Sequence, residues 1–136
     1  MAPNGFAGTW RLNLDRSDIP PVTRSQVLFI DTDGIRIEMR EELVNDKGET
    51  LVITVQGRLD GHDYPLKGTP FADTVSYRLL NSRTMEGIAK FNGRVRVKER
   101  AVLSECGDTV SVTYLSYDDH GNIQESHGLF ERQETP

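Results

Sequence analysis

The sequence predicts an all-β domain: a single antiparallel up-and-down barrel of about eight to ten strands with little helix. Helical periodicity is almost absent from its 136 residues. Alternating apolar and polar runs recur instead at intervals of about ten residues, the spacing of a sandwich or barrel. The connections between them are too short for crossover helices, which excludes parallel pairing. A meander with one apolar face per strand closes most simply on itself, which removes its exposed edges.

"AGTWRLN" (7–13) opens the alternation, and "DRSDIPPVT" (15–23) interrupts it because Pro20 and Pro21 block regular structure. "RSQVLFI" (24–30) leads through the turn "DTDG" (31–34) into "IRIEMREEL" (35–43). There Ile35, Ile37, Met39, Glu41 and Leu43 oppose Arg36, Glu38, Arg40 and Glu42. "NDKG" (45–48) turns the chain into "ETLVITVQGRL" (49–59). "DGHDYPLKGTPFAD" (60–73), with two prolines and two glycines, reads as the longest irregular stretch and as a mobile flap. "TVSYRLL" (74–80), "TMEGIAKF" (84–91), "RVRVKERAVL" (94–103), "TVSVTYLSY" (109–117) and "IQESHGLFER" (123–132) complete the strands. The pair Asn92–Gly93 is a strong two-residue hairpin signal, since a type I′ turn needs positive φ at both central positions. No repeat or linker divides residues 1–136, so they form one domain.

A net charge of −5 argues against sequence-independent nucleic-acid binding. One stripe runs the other way: Arg94, Arg96, Lys98 and Arg100 share a strand face, read as a solvated outer surface rather than a docking face for an anionic partner. No apolar run is long enough for a membrane span, and the start lacks the regions of a signal peptide. The single cysteine, Cys106, cannot form an internal disulfide and suits a reducing, cytoplasmic location. His62, His120 and His127 lie in separate segments without ligand spacing, so no metal is expected. No glycine-rich phosphate loop is present, and no cofactor is expected. The chain is compatible with a homodimer.

The ends of the chain carry a resemblance. "FAGTWRLN" (6–13) resembles the N-terminal signature of the calycins, the lipocalin and fatty-acid-binding-protein superfamily, and "LFER" (129–132) is similar to their closing aromatic-basic pair. "GTWRLNLDRSDIPP", "DGHDYPLKGTPFADTVSYRLL" and "GDTVSVTYLSYDDHGN" resemble small bacterial lipocalin-like proteins of unknown function. The resemblance covers most of the chain, and it speaks for fold while saying almost nothing of activity. It implies that Gly8, Trp10 and Arg132 close one end of the barrel, with the guanidinium stacked on the indole. The chain departs from the fatty-acid-binding proteins in having no room for a two-helix lid between its first strands. Nitrobindins are also Gly-Thr-Trp barrels, with a histidine on the last strand as haem ligand. His127 is placed similarly, although the glycine-rich segment after their first strand is missing here.

Interior and exterior alternate along barrel strands. The apolar registers therefore turn Met39, Tyr77, Met85, Phe91 and Tyr114 inward, with Gly57 and Gly87 leaving space. Glu41 and Glu99 fall in the same registers. A lone buried carboxylate is costly, so each sits either at a wet rim or at a site. On the last strand Ile123, Glu125, His127 and Leu129 are read as the inner face. The leading expectation is binding of a small, largely apolar molecule, with Tyr77, Tyr114, Met39, Phe91, Met85, Tyr64 and Phe71 as ligand contacts. The alternative is a cofactor-independent enzyme of isomerase, cyclase or hydratase type, with Glu99, His127 or Glu41 as acid-base groups. A scaffold acting through the basic stripe is the third.

Overall fold

Period-two patterning becomes ten antiparallel strands in the computed structural model, which describes residues 5–134. They are β1 (Gly8–Leu12), β2 (Thr23–Thr32), β3 (Arg36–Asn45), β4 (Thr50–Arg58) and β5 (Tyr64–Lys67), then β6 (Thr74–Asn81), β7 (Thr84–Phe91), β8 (Arg94–Leu103), β9 (Thr109–Tyr117) and β10 (Ile123–Gln133). Each strand pairs with its neighbours in sequence, and β1 pairs with β10 to close the barrel. Among the described residues the only helical turn is a 3₁₀ segment, Leu14–Arg16. No described helix is long and apolar enough to cross a membrane. Asn92 and Gly93 have φ of 49° and 79°, as the hairpin signal requires.

The stretch 60–73 is a correction. It contains β5, which pairs with both β4 and β6 and so belongs to the barrel wall rather than forming a free flap. Its pairing is short, two residues on each side, because Pro65 lacks an N–H and limits the ladder.

A second irregularity sets the phase of the β7–β8 hairpin. Ala89 opposes Val97 while Lys90 opposes Val95, which leaves Arg96 unpaired in a bulge. Arg96 is thereby freed to meet Asp119 at 2.8 Å. Phe91, expected inside, lies on the turn side of this bulge opposite Arg94 and is 41% exposed. The alternation that predicted its direction ends where the barrel wall does.

One end of the barrel is filled by side chains. Trp10 and Phe130 are fully buried, with Ile37 and Phe6 beside them. The indole Nε1 donates to the Phe6 carbonyl at 2.9 Å. The Arg132 guanidinium lies 4.3 Å from the indole centre and donates to the carbonyls of Gly107, Ala7 and Gly5 at 2.7–2.8 Å. Gly8 makes this approach feasible: a Cβ there would stand 2.5 Å from Arg132 Nη1, and its φ of 142° disfavours any side chain.

This plug fixes the direction of β10 and corrects its expected inner face. Leu12 opposes Phe130 and Trp10 opposes Arg132, so even-numbered residues Ser126, Gly128 and Phe130 are buried. Glu125 and His127 are exposed on the outside. The opposite register would expose Phe130 and bury two ionisable groups, each costing several kcal/mol unless paired. Arg132 on Trp10 and His127 in the lumen were incompatible expectations, since five residues apart along a strand means opposite faces.

Replacing Arg132 with Met should destabilise the chain by roughly 3 kcal/mol, because three backbone carbonyls lose a charged donor. Gly8→Ala should cost about 2 kcal/mol through strain and contact. Urea midpoints with unchanged m-values would establish both, and a Gly8→Ala variant as stable as the parent would contradict the packing described.

Candidate functional site

Above the plug the barrel encloses a cavity of about 300 Å³. Its lining is mainly aliphatic, from Leu28, Ile30, Ile53, Leu66, Val75, Val97 and others, and its polar groups are few. Those groups are Gln26, Glu41, Tyr77, Glu99, Tyr114, Ser116 and Ser126.

Strand register sorts them onto two walls. Tyr77 on β6 opposes Gly87 on β7, Gly87 opposes Glu99 on β8, Glu99 opposes Tyr114 on β9, and Tyr114 opposes Ser126 on β10. These five residues form one continuous inward row across five strands. Gly87 is the gap in it. A Cβ there would lie 2.8 Å from both Glu99 Oε1 and a Tyr77 ring carbon, so the missing side chain lets the carboxyl and the ring share that space. On the other wall Glu41 on β3 stands between Leu28 on β2 and Ile53 on β4. Gln26 Nε2 donates to Glu41 Oε2 at 2.9 Å.

Neither carboxyl is at the rim. Glu99 and Glu41 sit near the middle of ten-residue strands, and the surface they retain faces the cavity. No described residue hydrogen-bonds the Glu99 carboxyl, and the Tyr77 hydroxyl has only a distant contact to Met39 Sδ at 4.0 Å. Burial pushes both glutamates from their ordinary 4.5 up to about 7. The Gln26 hydrogen bond opposes this at Glu41, whereas at Glu99 the nearby Glu41 charge adds to it. Burial first, then the two carboxylates, raises Tyr77 and Tyr114 well above the usual tyrosine range. Both phenols therefore stay protonated and able to donate at neutral pH.

Of the expected ligand contacts, Tyr77, Tyr114, Met39 and Met85 line the cavity. Tyr64, Phe71 and Phe91 do not. The Tyr64 ring lies over Gly57 near the closed end, with its hydroxyl donating to Asp60 at 2.7 Å, and Phe71 is 66% exposed. Leu66 and Ala72 are the lining residues of that stretch. His127 is outside, its Nε2 2.9 Å from Glu125 Oε2 and its Nδ1 3.3 Å from Thr113 Oγ1. It is thereby removed as a lumen base and as an axial ligand for haem in the lumen, and no described histidine lines the cavity. Among the described residues no three His, Cys, Asp or Glu converge to hold a metal. Gln26 went unnoticed in the sequence although it shares the parity of Leu28 and Ile30, the same signal that marked Glu41.

No family model matches the chain, and no curated protein matches it in sequence.

The raised carboxyls make stability depend on pH with a defined sign. A carboxyl whose pKa rises on folding holds its proton more tightly in the native state, so the native chain binds more protons than the unfolded one between 4.5 and about 7. Stability must fall as pH rises through that window and level off above it. Asp33, Asp60 and Asp118 are held below their ordinary 3.8 by loop backbone and side-chain donors, and act at lower pH in the opposite sense. Urea unfolding at pH 5 and pH 8 should show a loss of a few kcal/mol. The double variant Glu41→Gln, Glu99→Gln should flatten that loss. A parent whose stability is flat or rising from pH 5 to 8 would refute the burial of these groups.

Proposed function

We propose that the chain is a lipocalin-like, calycin-type binding protein that takes a small, largely apolar organic molecule into its lumen. The carrying observation is the row on β6 to β10. There an otherwise apolar cavity holds a carboxyl without a hydrogen-bond partner among the described residues, flanked by two tyrosines. Polar groups left open on an apolar cavity orient a ligand's polar end, and 300 Å³ lies at the small end of such sites. The closed antiparallel barrel, with Trp10 beneath Arg132, is compatible with the calycin resemblance. A cytoplasmic location belongs to the same proposal and rests on the lone Cys106.

One observation favours a second reading, an enzyme of proton-transfer chemistry. Two carboxyls that titrate near 7 share the lumen with phenols that stay protonated. Glu99 would be the base and a tyrosine would stabilise an enolate-like oxygen.

Native mass spectrometry of protein purified from its own host should reveal a stoichiometric organic adduct. Ala89→Leu and Ala101→Leu, which add bulk to the lumen lining, should each reduce its occupancy at least tenfold, and His127→Ala should leave it unchanged. An adduct indifferent to both lumen substitutions but lost with His127→Ala would place the site elsewhere. Turnover separates the two readings: a carrier releases its molecule unchanged, whereas an enzyme releases a converted molecule from the parent and loses that conversion in Glu99→Gln.

A further inference from the structure

The alternation of the strands sorts charge as strictly as it sorts hydrophobicity. Two carboxyls, Glu41 and Glu99, face the lumen, and no described Lys, Arg or His lines it. The cations beside them in sequence point outward. Arg100 pairs with Glu86 at 2.6 Å, Lys98 lies over the Tyr117 ring, and Arg40 stacks on Phe29 and meets Glu42. The inside of this barrel is acidic and its compensation is all on the outside.

Resting on the lumen-binding reading, we infer that the ligand class is an apolar amine, bound as its ammonium at Glu99 between Tyr77 and Tyr114, and that carboxylates are refused. Above about pH 7, where the acids are ionised, a carboxylate ligand would enter an apolar space already holding two negative charges and no counter-charge, which burial makes prohibitive. In the same range a neutral ligand would gain hydrogen bonds but leave the ionised acids uncompensated. An ammonium group brings N–H donors to an unpartnered carboxyl, and the tyrosine oxygens and rings on either side accept the rest of its charge. Gly87 lets the Glu99 carboxyl and the Tyr77 ring lie side by side, and Leu28, Ile53, Val75 and Val97 would cover an apolar tail.

The cation takes the place of a proton. The titratable groups facing the site are Glu41 from β3, Tyr77 from β6, Glu99 from β8 and Tyr114 from β9; the other strands contribute none to the lining. The acids hold protons below about 7 in the empty protein. Amine binding at pH 6 should therefore release close to one proton. Affinity should rise with pH through that window, until the free amine loses its own proton near pH 10.

Isothermal titration of the full chain with 4-phenylbutylamine, 4-phenylbutan-1-ol and 4-phenylbutanoate, with shorter and longer homologues of each, tests this. At pH 8 the amine should bind at least tenfold tighter than the alcohol, and the carboxylate should show no saturable binding. At pH 6, titrations in two buffers of different ionisation enthalpy should count the released proton. Glu99→Gln should bring the amine-to-alcohol ratio close to one, and Glu41→Gln should reduce it less. If either variant fails to fold, the parent's ratio and proton count decide alone. An alcohol that matches the amine, or a carboxylate that binds as well, overturns the charge selectivity while leaving lumen binding in place. No binding by any charge class at any chain length overturns lumen binding as well.

Discussion

The contact of Arg132 with Trp10 locks the place where the two ends of the barrel pair. β1 and β10 are separated by more than a hundred residues, so bringing them together carries a loop-closure cost. Arg132 helps to offset it. Its guanidinium covers Trp10 and ties the carbonyls of the N-terminal segment to that of Gly107 in the β8–β9 connection. It reinforces the backbone ladder between β1 and β10, without which these strands would be two open edges with unpaired donors and acceptors. The same contact dictates that even-numbered residues of β10 face inward. It fills one end of the barrel with aromatic side chains and leaves the cavity to the remainder.

Much of this architecture is legible because a half-buried strand must alternate and a tight turn must use particular residues. The bounds of β7, β8 and β9 read directly from the sequence for that reason. β5 is not legible: four residues containing Pro65 show too little alternation, and pairing on both sides is what makes them a strand. Glu41 and Glu99 stand out because an acid interrupts an otherwise apolar register. His127 misleads because β10 carries apolar residues on both faces, Leu129 on one and Phe130 on the other. Only the partner strand chooses between them, through Leu12 opposite Phe130. Phe71 and Phe91 mislead in another way, since an aromatic near a turn has no pleat to direct it.

The lumen acids run against stability. Each is desolvated, the pair repel when ionised, and Gly87 gives up a side chain that could fill the wall. A chain selected for packing alone would place amides or aliphatics at these positions. Departures from local consistency that persist at the centre of a core mark sites at which something other than stability is being served. Here two such departures, both acids, line one cavity, and a third, Gly87, faces Glu99 across adjacent strands.

The position of Glu99 rests on a single unpaired residue. A two-residue turn at Asn92–Gly93, continued without interruption, would set Lys98 opposite Gly87, because Phe91 pairs with Arg94 and each step shifts both strands by one. Lys98 and Arg100 would then face the lumen and Glu99 the solvent, since a one-residue slip reverses every side chain. The bulge at Arg96 advances β8 by one residue and restores the match between the inner faces of β7 and β8. Its ion pair with Asp119 is half exposed and contributes little to stability by itself. The bulge therefore matters for phase: it decides that Glu99 rather than Lys98 and Arg100 faces the interior of this barrel.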